Sequence, residues 1–167
     1  MKHTTQYLTQ GAIIAALYGV LTHLQNLLLP GSASWAIQLR LSEALTVLAF
    51  FTPAAVPGLA TGCLVFNLSN AGALPLDFLV GTLATLLSAQ AMWLTRKLTL
   101  RGLPVVGLAM PVLFNALLVG WELTVYVGTQ SFAVNALSVA LGEAGVMAVA
   151  GSALYRALRE RRIFTVR

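Results

Sequence analysis

Glu122 and Glu143 each interrupt a long apolar run, and neither stands where an acid would cap the start of a helix. An ionisable side chain at membrane depth costs roughly 2.5 to 3.5 kcal/mol on insertion scales and is kept where it faces a cavity or a partner. Asn115, Glu122 and Tyr126 fall at i, i+7 and i+11, on one face of a helix. Asn135 and Glu143 are two turns apart on the next helix and within about a quarter turn of each other. If both stripes point inward, two carboxylates and two amides share one chamber, which suits a small polar molecule bearing a cation or several hydrogen-bond donors. Arg40, Glu43, Asn67, Asp77 and Trp121 form a second rank of candidates, with Arg40 the one nearby positive charge. Trp35 and Trp121 could stack on a planar ring, and His23 and Gln25 add an imidazole and an amide at similar depth.

Several of these residues have a plainer use. Glu43 and Asp77 each open a helix, where an acid satisfies orphan N–H groups and complements the helix dipole. Trp35, Trp121 and Tyr126 have the chemistry of headgroup-level anchors. Asn67, Asn115 and Asn135 can join neighbouring helices by hydrogen bonds, and Tyr18, His23 and Gln25 read first as packing or interfacial groups. Only Glu122 and Glu143 lack such an alternative.

The elements that must hold these groups are membrane helices. Of the 167 residues, 58% are apolar and only 9% charged, with a mean hydropathy of +0.84, whereas a soluble domain carries about 25% charged residues. No charge falls between Lys2 and Arg40, between Glu43 and Asp77, or between Arg101 and Glu122, and each gap matches or exceeds the roughly 20 residues a spanning helix needs. The expected fold is an all-α integral membrane protein forming one domain over residues 1–167. Helices are expected at Tyr7–Leu29, Ser42–Phe51, Ala55–Leu68, Asp77–Leu94, Pro104–Tyr126 and Phe132–Leu158.

Pro53 and Pro57 break the apolar stretch from Arg40 to Asn70, since each removes a helical donor. Folding there sets the Arg40, Ser42 and Glu43 end beside the Asn67 and Asn70 end. Six spans also put nine of the ten lysines and arginines on one side, as the positive-inside rule demands, so both termini are expected in the cytoplasm. A re-entrant hairpin at Ser42–Leu68 would leave every later loop in place. The net charge of +5 follows from topology and anionic headgroups, and gives no argument for nucleic acid. Gly11/Ala15, Ala12/Ala16 and Ala15/Gly19 are small-residue pairs that allow close helix approach, within this bundle or with a partner.

The chain carries no phosphate loop, no His-Glu-x-x-His and no Gly-x-Ser-x-Gly. Cys63 is the single cysteine, so neither a disulfide framework nor a thiolate metal site is available. No enzyme activity, cofactor or metal is expected, and uphill transport would draw on an ion gradient or on partner subunits.

Arg-Leu-Ser-Glu-Ala-Leu-Thr-Val-Leu (Arg40 to Leu48), Phe-Thr-Pro-Ala-Ala-Val-Pro-Gly-Leu (Phe51 to Leu59), Gly-Cys-Leu (Gly62 to Leu64) and Gly-Thr-Leu-Ala-Thr-Leu (Gly81 to Leu86) resemble the QueT family. The family's members are substrate-binding S components of energy-coupling factor (ECF) transporters. The resemblance implies a six-helix bacterial plasma-membrane protein that captures a queuosine precursor, a 7-deazaguanine base such as the aminomethyl form or queuine, from outside. It implies a ligand held under the loop joining the first two helices, here containing Trp35, Gln38 and Arg40. Partners would be a transmembrane coupling subunit and two ATPases, with Ala12-x-x-x-Ala16 matching the docking motif. The rival readings are an S component for another vitamin such as thiamine, and a stand-alone small-solute carrier.

Overall fold

A computed structural model describes residues 2–30, 39–70, 72, 74–128 and 130–161. Among these residues every extended element is a helix: α1 (Lys2–Leu28), a 3-10 helix (Leu41–Phe50), α2 (Ala55–Ser69), α3 (Asp77–Thr95), α4 (Val105–Tyr126) and α5 (Phe132–Val146), which passes through a π turn (Met147–Gly151) into α6 (Ser152–Arg161). Sequence neighbours pack together, α1 on α2, α2 on α3, α3 on α4 and α4 on α5.

Four segments are long and apolar enough to cross a bilayer: His3–Leu28, Asp77–Thr95, Val105–Tyr126 and Phe132–Arg161. The other two are short. α2, with 15 residues, reaches about 22 Å at 1.5 Å per residue. The 3-10 helix, with 10 residues, reaches about 20 Å at 2.0 Å per residue. Each falls below the roughly 30 Å of hydrocarbon.

The break between them follows from the prolines. Pro53 lies in the turn, where Val56 N–H bonds the Pro53 carbonyl at 3.2 Å. Pro57 is third in α2, within the first turn, where backbone donors have no intrahelical partner and a missing N–H does no harm.

The 3-10 helix was expected as an ordinary helix. It is wound more tightly along its whole length, although such runs rarely exceed three or four residues. The longer rise carries ten residues about 5 Å further than α-helical winding would. Its position accounts for the tolerance: it touches every other helical element. Eight of its ten residues are buried, including Ser42, Glu43 and Thr46. Val47, Leu48, Ala49 and Phe50 join Tyr18, Leu59, Met92 and Met147 in the principal apolar core.

The small residues of α1 divide between two jobs. Gly11, Ala15 and Tyr18 face α2 so closely that a Cβ on Gly58 would sit 2.7 Å from the Gly11 carbonyl, and one on Gly62 2.6 Å from the Ala15 carbonyl. Ala12 and Ala16 face outward and are exposed. Tyr7, Gly11, Ala12 and Ala15 form one wall of an open groove whose other wall is Pro57, Gly58 and Thr61.

Candidate functional site

Six polar side chains from five elements converge in the interior. Glu43 is the hub: its Oε1 accepts a 2.5 Å hydrogen bond from the Tyr18 hydroxyl and a 3.2 Å bond from the Thr85 hydroxyl, and the Asn115 amide is also within its reach. Capping is therefore not its role. Its side chain spends its acceptors on α1 and α3, and its Oε2 has no partner among the described residues. Glu143, from α5, lies within electrostatic reach of Glu43 and Arg40. Arg40 interacts electrostatically with Tyr18, Asp77 and Glu43.

Arg40 enters the bundle because a side-chain amide holds the chain on both sides of it. Gln25 Nε2 donates to the Leu39 carbonyl, and Leu41 N–H donates to Gln25 Oε1 at 2.8 Å. The guanidinium then lies over Gly81, where a Cβ would stand 3.5 Å from Arg40 Nη1 and 2.9 Å from Asn67 Nδ2. The polar ends of the folded Arg40–Asn70 stretch do meet, and Gly81 leaves them room. Asn67 Nδ2 donates to the Asp77 carbonyl at 2.8 Å. Asp77 Oδ2 accepts from Leu74 N–H at 2.8 Å, so this acid clasps the preceding turn instead of capping α3.

Glu122 sits beside Asp77. When ionised, two carboxylates offer acceptors only, and both Glu122 oxygens lack a hydrogen-bond partner among the described residues, as does Glu143 Oε2. Glu43 and Glu122 are 0% exposed, Glu143 1%, Arg40 3% and Asp77 6%. Four buried carboxylates thus lie within electrostatic reach of one buried guanidinium. Orphaned buried carboxylate oxygens are costly, and here several of them belong to one neighbourhood, an arrangement that a donor-rich ligand completes.

The remaining candidates lie elsewhere or are already occupied. Asn135 Nδ2 donates to Thr124 Oγ1 at 2.9 Å and so joins α5 to α4. Asn115 Nδ2 donates to the Pro111 carbonyl at 3.0 Å, which leaves its second N–H as the donor that can face Glu43. Trp121 is 48% exposed and Tyr126 41%, which sets both rings outside the buried cluster. The reason is angular: Trp121 is one residue, about 100°, from Glu122 and cannot share its face. His23 donates to or accepts from Ser69 Oγ at 3.0 Å and meets the Phe66 ring edge-on at 4.9 Å. Trp35 and Gln38 lie outside the described residues.

Gln25, a candidate amide from the sequence, serves here as the clamp on Arg40, while Tyr18, which reads first as a packing group, and Thr85 and Gly81, which carry no such signal, complete the neighbourhood. A tyrosine or threonine in an apolar helix carries no mark of which distant carboxylate it will meet. The charged members, Arg40 and Glu43 at the head of a long apolar stretch and Glu122 and Glu143 within apolar helices, carry the sequence signal for this place. Among the described residues no group of three histidines, cysteines or acids could hold a metal ion.

No curated relative and no solved structure matches the chain. The model of one family, described as QueT transporter, matches residues 8–160. That match spans α1 through α6 and takes in the whole buried cluster, so the chain belongs to the QueT transporter family, a family of membrane transport proteins.

Proposed function

We propose that the chain is the substrate-binding S component of an ECF transporter. It captures a queuosine precursor, a 7-deazaguanine base in the aminomethyl form or as queuine, and hands it to a coupling subunit and two ATPases for uptake. In this reading all six helical segments cross or enter the bilayer, both termini are cytoplasmic, and the acid-lined interior opens outward. The chain itself is no enzyme.

The observation that carries the reading is the set of buried, unpartnered carboxylate oxygens on Glu43, Glu122 and Glu143. A deazaguanine presents an edge of N–H donors that a carboxylate accepts in pairs, and an aminomethyl group adds a cation. Four acids around Arg40 favour such a ligand and disfavour an anion. Ala12 and Ala16, exposed on α1 beside the groove to α2, provide the surface for the coupling subunit. Thiamine, also cationic, would suit the same charge balance.

Native mass spectrometry of the protein purified from cells tests this directly. A retained mass matching a 7-deazaguanine supports the reading; a retained thiamine moves the assignment to another S component. Solute flux in liposomes containing only this chain would make it a stand-alone carrier and overturn the S-component reading.

A further inference from the structure

The basic end of the bundle holds a concave site whose lining includes no member of the acid cluster. A cavity of about 560 Å³ lies between the α3–α4 connection and α6, lined by Arg101, Gly102, Arg156, Arg159 and Glu160, with Leu103 and Tyr155 at its sides. Three guanidinium groups face one carboxylate there. Among the described residues, Arg101 and Arg156 make no hydrogen bond or ion pair, while Arg159 Nη1 donates to the Gly102 carbonyl at 2.5 Å, using one of five N–H donors.

The connection is built to hold this geometry. Leu100 and Leu103 exchange backbone hydrogen bonds of 2.8 and 3.0 Å, pinching off a two-residue turn whose central residues have φ of +49° at Arg101 and +83° at Gly102. Positive φ at both positions belongs to the I′ hairpin turn, where asparagine or glycine is usual. Arginine is the only non-glycine with positive φ among the described residues. A long charged side chain in that conformation points to a use for its charge.

The cavity continues into an apolar groove. Leu103 and Arg156 also line a neighbouring groove of about 390 Å³, which continues between α4 and the α5–α6 rod past Leu108, Val112, Ala144, Met147 and Ala148. A basic pocket thus adjoins an apolar groove along two membrane helices, and a molecule that joins an anionic head to an apolar chain, an anionic phospholipid, matches that profile. We infer that Arg101, Arg156 and Arg159 bind the phosphate of one anionic phospholipid whose acyl chain lies in the α4–α5 groove. Planar guanidinium groups match phosphate oxygens bidentately, and a shared Arg156 fixes headgroup and chain as one ligand.

The test uses the full chain in nanodiscs of mixed phosphatidylglycerol and phosphatidylcholine with identical acyl chains, transferred to detergent for native mass spectrometry. The expected result is one retained phosphatidylglycerol, held at least about tenfold over phosphatidylcholine, with retention falling about fivefold in Arg156→Gln and again in Arg101→Gln, as for about one basic charge near a surface. Ala148→Phe, which fills the groove, should lower retention while leaving the charges in place. Arg101→Gln changes only an exposed turn tip, so a folding defect in Arg156→Gln leaves the test standing. Equal retention of both lipids, or retention unchanged in both arginine variants, overturns the site. Competition by free glycerol phosphate as strong as that by phosphatidylglycerol would assign the pocket to a soluble phosphate and overturn the lipid.

Discussion

Replacing Glu122 or Glu143 by glutamine separates a binding role from a structural one, because the two roles predict opposite changes in stability. In the structure Glu122 is 0% exposed and Glu143 1%, yet both oxygens of the first and Oε2 of the second have no partner among the described residues. Glutamine keeps the shape and takes one acid out of a buried site that other acids crowd. The ligand-free variant should therefore unfold at the wild-type temperature or above it, since an unpartnered acid buried beside other acids is costly. Ligand binding should move the other way. A hydrogen bond to a charged group contributes about 1.5 to 3 kcal/mol, which at 1.4 kcal/mol per decade is roughly a 10- to 150-fold loss of affinity. Glu122, with two open oxygens, should stand at the upper end, and Glu143, with one, at the lower. Isothermal titration calorimetry of the purified protein with a 7-deazaguanine base measures the affinity, and thermal unfolding in the same detergent measures the stability. Wild-type affinity in both variants would refute the site. A marked fall in unfolding temperature with affinity lost in proportion would show the carboxylates to be structural.

Three further expectations follow from particular contacts. Gly62→Leu puts a Cβ 2.6 Å from the Ala15 carbonyl and 2.8 Å from Tyr18 Cβ, and since backbone cannot swing aside the cost should be about 3 kcal/mol, read as a lowered unfolding midpoint; a neutral result would mean that α1 and α2 do not cross as described. Gln25→Leu strands the Leu39 carbonyl and Leu41 N–H, so affinity should drop by about tenfold through a misplaced Arg40, whereas unchanged calorimetry would show that Arg40 needs no such clamp. Ala12→Leu with Ala16→Leu, on the exposed face of α1, should leave ligand binding intact and abolish uptake in cells expressing the partner subunits; equal loss of both would point to misfolding.

The membrane class, the helix order and the break at Pro53–Pro57 could be read from the chain because they rest on local rules: hydrocarbon tolerates few charges, a span needs a minimum length, and proline removes a donor wherever it stands. The inward placement of Glu122 and Glu143 was legible for the same reason, since an acid in an apolar helix has few other places to go. Only tertiary structure decided the partners. That Glu43 takes its hydrogen bonds from Tyr18 and Thr85 instead of capping its helix, that Gly81 leaves space for Arg40, and that Asn135 is consumed by Thr124 depend on how helices far apart in sequence rotate against one another. The 3-10 winding of Leu41–Phe50 belongs to the same category: intrinsic preference disfavours ten residues of it, and contact with every surrounding element outweighs that preference. Residue type and spacing therefore chose which groups leave the lipid, while packing chose which of them meet.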